Sequence, residues 1–178
     1  SITGTRDNRN DSAFDADTGP ATLAGMDLAH IELEDSSSSV QQELRLASSA
    51  QGRLSWQAGL FFLRTEAELD PQTHTGYAFM ANPDPVAGGE HSVFSTLDTS
   101  SYAAFGEVSY DLGDSTLLTA GVRYTHDKLE FEAEQIPLGA NPRPAFSVDD
   151  SMTAEEPTWR LALLHDITAD INAYVSYN

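Results

Sequence analysis

SYAAFGEVSYDLGDSTLLTAGVRYTHDKLEF, residues 101–131, holds two alternating runs on either side of a short polar turn. In the first, Tyr102, Ala104, Val108, Tyr110 and Leu112 share one parity, while Ser101, Glu107, Ser109 and Asp111 share the other. In the second, Leu118, Ala120, Val122 and Tyr124 alternate with Thr119, Gly121, Arg123 and Thr125. A period of two places each set on its own face of a strand. The apolar face must then meet either a second sheet or lipid.

The same alternation recurs along the chain. Ser1–Arg6 reads as a short strand, and Val40–Ser48 sets Val40, Leu44 and Leu46 against Gln41, Glu43 and Arg45. Arg53–Glu68 sets Leu54, Trp56, Ala58, Leu60 and Phe62 against Ser55, Gln57 and Gly59. Thr158–Leu164 sets Trp159, Leu161 and Leu163 against Arg160 and Ala162, and Ile171–Asn178 adds a last run. About seven strands are predicted, forming an all-β, antiparallel, up-and-down meander.

Composition narrows the class. The 178 residues carry 28 acidic and 9 basic side chains, a formal charge of −19. Nucleic-acid phosphates demand Lys and Arg, so this balance excludes such a partner. With no cysteine there is neither a disulfide framework nor a thiolate metal site. No run of about 18 apolar residues occurs, which excludes a membrane-spanning helix. A β-barrel strand needs only about 9–11 alternating residues, and those are present.

The connections carry more information than the strands. Three are short, at 49–53, 112–115 and 166–170, with the Gly, Asp and Ser chemistry of tight hairpins. Three long loops are expected near 7–39, 69–100 and 132–157, and short and long alternate strictly. Tight turns at one end and long excursions at the other suit a section of a large transmembrane β-barrel. In that reading Glu43, Arg45, Gln57, Glu107, Arg123 and Arg160 face a wet lumen. The aromatic residues Trp56, Phe62, Tyr102, Tyr110, Tyr124, Trp159 and Tyr177 face lipid or its interfaces, with Tyr174 a further aromatic near a turn. The alternative is a soluble secreted β-sandwich that binds carbohydrate or another surface ligand, its apolar faces packed sheet on sheet.

Four stretches in order carry a resemblance: QQELRLAS (41–48), WQAGLFF (56–62), SYAAFGEVSYDLGDSTLLTAGVRYTHDK (101–128) and TWRLALLHDITADINAYVSYN (158–178). Together they resemble the β-barrel of TonB-dependent outer-membrane receptors. The resemblance implies a barrel of about 22 strands around an N-terminal plug domain. It also implies a bacterial outer-membrane location and uptake of a bulky nutrient such as a ferric siderophore, energised through TonB. No plug, TonB-contacting box or closing aromatic-ended strand is recognisable. The expectation is therefore that residues 1–178 form a partial barrel, not transport-competent by itself, with outer-membrane lipid, the plug and the TonB system as partners in the intact parent.

Chemistry finds little support. No G-x-S-x-G elbow, phosphate-binding glycine loop or H-E-x-x-H motif is present, so no enzyme and no cofactor is expected. His30, His74, His91, His126 and His165 lack ligand spacing; His74 and His91 share one loop and are expected to be solvated. DNRNDSAFDAD (7–17) is rich in acids but lacks the glycine and closing Glu of a calcium loop, so no metal site is expected. The polar-face arginines are expected to pair with acids on neighbouring strands.

Overall fold

The computed structural model describes residues 1–16, 22–23, 26–49, 52–81, 89–139 and 144–178, without the side chains of 22, 23, 26 and 27. Seven strands form one antiparallel sheet in the order β1 (Ile2–Asp15), β4 (His30–Ala47), β5 (Leu54–Thr75), β6 (His91–Asp111), β7 (Thr116–Pro137), β8 (Phe146–Thr168) and β9 (Ile171–Tyr177). Between β1 and β4 lie two-residue strands, β2 (Thr22–Leu23) and β3 (Met26–Asp27), paired only with each other. A five-residue helix, α1 (Tyr77–Ala81), follows β5. Every neighbour in the large sheet is also a neighbour in sequence once β2 and β3 are set aside, as the predicted meander requires.

The register turns the alternation into faces. Leu46, Ala58, Gly106, Val122 and Trp159 form one cross-strand row. The next row toward the tight turns is Trp56, Val108, Ala120, Leu161 and Tyr177, and the one beyond it is Leu54, Tyr110, Leu118, Leu163 and Val175. In the other direction come Leu44, Leu60, Ala104, Tyr124 and Pro157, then Gln42, Phe62, Tyr102, His126 and Glu155. We call this side the tryptophan face. Its apolar band runs along β5 from Leu54 to Phe62, a strand length that spans a bilayer of ordinary thickness.

The strands do not stop where the band stops. The segments expected as long loops are in large part strand: β1 and β4 fill much of 7–39, β5 and β6 much of 69–100, and β7 and β8 much of 132–157. The connections proper at that end are 16–29, 76–90 and 138–145, against 48–53, 112–115 and 169–170 at the other. β7 has 22 residues, about 73 Å at 3.3 Å each. The boundary was misplaced because the hydrophobic pattern changes phase while the strand goes on. In β7 the apolar residues are Leu118, Ala120, Val122 and Tyr124, then Leu129, Phe131 and Ala133. The second set shares the parity of Arg123, so it lies on the opposite, arginine face. On β5 an irregularity between Leu69 and Gln72 inserts one extra residue against both neighbours, and Pro71 within it has no N–H to give the ladder.

Polarity therefore inverts along the sheet. Near the tight turns the tryptophan face is apolar and the arginine face polar. Near the long connections the tryptophan face carries Arg64, Glu66, Glu68, Asp98, Lys128, Glu130 and Glu132, while the arginine face carries Leu97, Leu129, Phe131, Val148 and Met152. Ala103 is the single buried hydrophobic residue among those described, and Val122 is 67% exposed. A sandwich would need a second sheet about 10 Å away; the second sheet here consists of β2 and β3 alone.

Of the glycines within the large sheet, Gly59 leaves the least room for a side chain. A Cβ there would stand 2.4 Å from the Phe105 ring and 2.7 Å from the Leu44 carbonyl oxygen, which is backbone and cannot turn aside. At Gly106 the nearest atom to a Cβ is the Gln57 carbonyl oxygen at 3.8 Å. In the intact barrel Gly59→Ala is expected to cost about 1–3 kcal/mol through overpacking, and Gly106→Ala to change stability by under about 0.5 kcal/mol. Urea midpoints followed by the mobility shift between folded and unfolded barrel on electrophoresis check both. Equal midpoints would show that the sheet does not need the missing side chain at 59.

Candidate functional site

All six polar residues singled out from the sequence lie on the arginine face. Arg45, Gly59, Phe105, Arg123 and Thr158 share one row, and Gln57, Glu107, Gly121 and Arg160 the next. Their contacts differ from the expected cross-strand ion pairs. Arg45 donates from Nε to Glu43 Oε1 of its own strand at 2.9 Å, and a second guanidinium nitrogen contacts the same carboxylate. Gln57 donates to Glu107 at 3.3 Å. Arg123 donates from Nε to the Thr125 hydroxyl at 3.1 Å. Arg160 makes no ion pair among the described residues.

Two aromatic residues that the alternation did not single out organise this cluster. The Arg123 guanidinium lies 5.6 Å from the Phe61 ring centroid and 5.8 Å from that of Phe105; Arg45 is also 5.8 Å from Phe105. A cation over a ring face gains from the ring's quadrupole. Gly59 leaves the space into which the Phe105 ring reaches across the strand. The available signal was the break in alternation itself: Leu60, Phe61 and Phe62 are apolar at both parities, as are Ala104 and Phe105. An apolar residue on the polar side of a strand needs a partner there.

The seven aromatics assigned to lipid or its interfaces share the tryptophan face. Phe62 and Tyr102 pack at 5.2 Å between centroids on the margin row, and Trp159 and Tyr177 at 4.8 Å. Tyr110 stands in the row nearest the turns. Trp159 pairs with Val122 in the middle row, so it is not at the loop-side margin that the loop boundary at 157 suggested. Tyr174 pairs with Leu164 and falls on the arginine face, apart from Tyr177.

Near the long connections two further groupings occur. His74 and His91 are a cross-strand pair with stacked rings, 4.6 Å between centroids and 7° between planes. Phe79 of α1 meets His74 edge-on at 5.3 Å, and His91 Nδ1 lies 2.9 Å from the Gly89 carbonyl oxygen. His91 is 3% exposed, which corrects the expectation of a solvated histidine. No group of three or more His, Cys, Asp or Glu able to hold a metal exists among the described residues. The acidic segment at 7–17 lies in β1 as far as Asp15, extended and paired with β4, a geometry that sends successive side chains to opposite faces. There Arg9 lies 3.3 Å from both Asp11 and Glu34, and the hydrogen bond to Asp11 is the chief cause that raises its pKa further.

On the tryptophan face Arg64 bonds Asp98 at 3.2 Å and lies 3.7 Å from Glu66, while Lys128 holds Glu130 at 2.6 Å. The Glu66 carboxyl is pushed above the usual carboxylate range, chiefly by its hydrogen bond with Glu68 and then by the negative field of Asp98. Acids thus crowd one face of the long-connection half while apolar side chains occupy the other. The sheet is a wall with two different surfaces at each of two levels.

The family model described as TonB dependent receptor-like, beta-barrel matches residues 2–178. No curated protein sequence matches. Among solved structures, the ferric yersiniabactin uptake receptor FyuA from Yersinia pestis superposes with a TM-score of 0.65 at 19% identity, over 83% of this chain and 21% of that one. The ferric-catecholate import receptor Fiu from E. coli K12, in its open form, has a TM-score of 0.46 at 12% identity, over 98% of this chain and 35% of that one. The chain thus spans about a fifth of the length of FyuA, and that likeness is one of fold. By the family match, which runs almost from end to end, this chain belongs to the TonB-dependent receptor β-barrels of the bacterial outer membrane.

Proposed function

We propose that residues 1–178 are a stretch of barrel wall in a receptor that takes up a bulky nutrient, a ferric siderophore being one class, with energy delivered through TonB. The tryptophan face meets lipid between the Leu54 and Phe62 rows. The arginine face at that level lines the lumen, where Arg45, Arg123, Arg160, Glu43, Gln57 and Glu107 face water and the plug of the intact protein. The long connections and the strand ends beneath them stand outside the cell. The chain supplies no catalytic chemistry.

One observation carries this reading. Across β5 to β8, rows of apolar side chains stay in register on one face of a single-layer sheet and remain exposed, with none of the described residues packed over them. Water would penalise so broad an apolar surface, and lipid would not. A barrel also closes the two open edges of the sheet, which otherwise offer unpaired amides.

Two measurements on the intact receptor in bilayers test this. Bromine-labelled lipid tails quench tryptophan only on contact, so replacing Trp56 and Trp159 by Phe is expected to remove a quenchable share of the emission. If the lost emission was unquenched, the tryptophan face does not meet lipid. Val122→Arg places a charge in the middle of the apolar band and is expected to destabilise the barrel by about 2–4 kcal/mol. Gln57→Lys, beside Glu107 on the other face, is expected to change stability by under about 0.5 kcal/mol. Urea titration in lipid vesicles compares them.

A further inference from the structure

Above the membrane band, the surface that the proposed orientation turns inward carries an apolar patch on β6, β7 and β8 and, among the described residues, a single Arg or Lys. Phe131 pairs across the ladder with Leu97 on one side and Asp150 on the other; Val148 and Met152 flank Asp150 along β8 on the same face. Leu97, Phe131, Val148 and Met152 are 38, 40, 42 and 58% exposed. At strand spacings of about 4.8 Å and pleat repeats of about 7 Å, this patch measures about 10 by 14 Å. That is the footprint of a planar ring system or a short alkyl chain.

The charges around it have one dominant sign. From the Gln41, Leu63, Ser101 and Asp127 row up to the connections, the arginine face presents Asp35, Asp127 and Asp150 among the described residues. Arg6, on the far strand β1, is the one Arg or Lys on that surface among the described residues. A polyanionic chelate would lose its hydration here without gaining cations to replace it. A neutral or cationic molecule with a flat apolar surface would gain both from burial and from the carboxylates.

We infer that this wall selects an uncharged or cationic nutrient with an aromatic or alkyl surface, held against Phe131 and its neighbours with Asp150 supplying the charge contact. The inference rests on the receptor reading above and narrows its ligand class. The occupant is a small molecule, not a plug loop, because the patch pairs an apolar floor with carboxylates suited to a discrete cation.

The test uses the intact receptor in lipid nanodiscs, with tetraphenylphosphonium as the apolar cation and the ferric tris-catecholate trianion as the rival, both by equilibrium dialysis. Tetraphenylphosphonium is expected to bind at least tenfold more tightly than the trianion. Phe131→Ser is expected to weaken it at least tenfold. Asp150→Lys, which removes the carboxylate and the hydrogen bond that it accepts from the Ser151 amide, is expected to weaken it and to raise affinity for the trianion. Glu132→Gln, on the opposite face of the same strand, is expected to change nothing. Tighter binding of the trianion, binding of neither probe, or cation binding unmoved by both Phe131→Ser and Asp150→Lys overturns the inference. Crosslinking of the TonB C-terminal domain to the same receptor reports separately on the receptor reading: engagement without cation binding sinks the ligand class alone.

Discussion

A backbone amide that leaves water for hydrocarbon must find its partner on the next strand, because lipid offers none and an unsatisfied polar group costs several kcal/mol. That requirement holds this sheet together. Pairing between β5, β6, β7 and β8 runs without a break through the whole apolar band. The irregularity of β5 lies beyond it, between Leu69 and Gln72, opposite Leu33–Asp35 of β4. An extra residue is tolerable where water can reach the freed groups. Inside the band it would also send every later side chain to the wrong medium.

Because the ladder holds register for so long, each strand can serve two levels with opposite demands. In the proposed orientation the lower level has lipid outside and water inside. At the upper level the same orientation puts water outside and turns inward the face that carries Leu97, Phe131 and Met152. A change of phase in the apolar pattern, near Thr125–Lys128 in β7, is the sequence-level device that makes this switch. Arg64 and Lys128 occupy the first tryptophan-face row beyond Phe62, Tyr102 and His126, flanked there by Val40 and Ser100. Their long stems suit such a boundary, since the chain can lie along apolar surface while the charge reaches water.

The strand order, the two faces and the family were legible in the sequence, because alternation within the band is strong and the tight turns carry Gly, Asp and Ser. The upper half was not, and the reason is physical. Lys128–Glu134 alternates as cleanly as Leu118–Tyr124, but in the opposite phase, and a reader following one apolar set meets charge where the next hydrophobe should be. The acids then suggest solvated loop. Phe61 and Phe105 were missed for a related reason: they interrupt the polar parity, and their role emerges only when the register brings both to Arg123. His74 and His91 stand 17 positions apart in the chain, and only the β5–β6 ladder stacks them.

The charge of −19 also acquires a location. Glu66, Asp98 and Glu130 are directly opposite one another in three adjacent strands, an arrangement that like-charge repulsion disfavours. Arg64 and Lys128 offset part of it, and Glu66 responds by holding its proton more tightly. A carboxyl whose folded pKa is raised binds protons better than its unfolded counterpart. Its contribution therefore favours the fold at low pH and fades as pH rises through the ordinary carboxylate range to the raised value. Glu66 thus works against the fold at neutral pH. In the proposed orientation the inversion gives the acid row a use: with apolar side chains turned inward, the outer surface must keep the long strand extensions in water, and a row of carboxylates does that while discouraging a second copy from pairing against it.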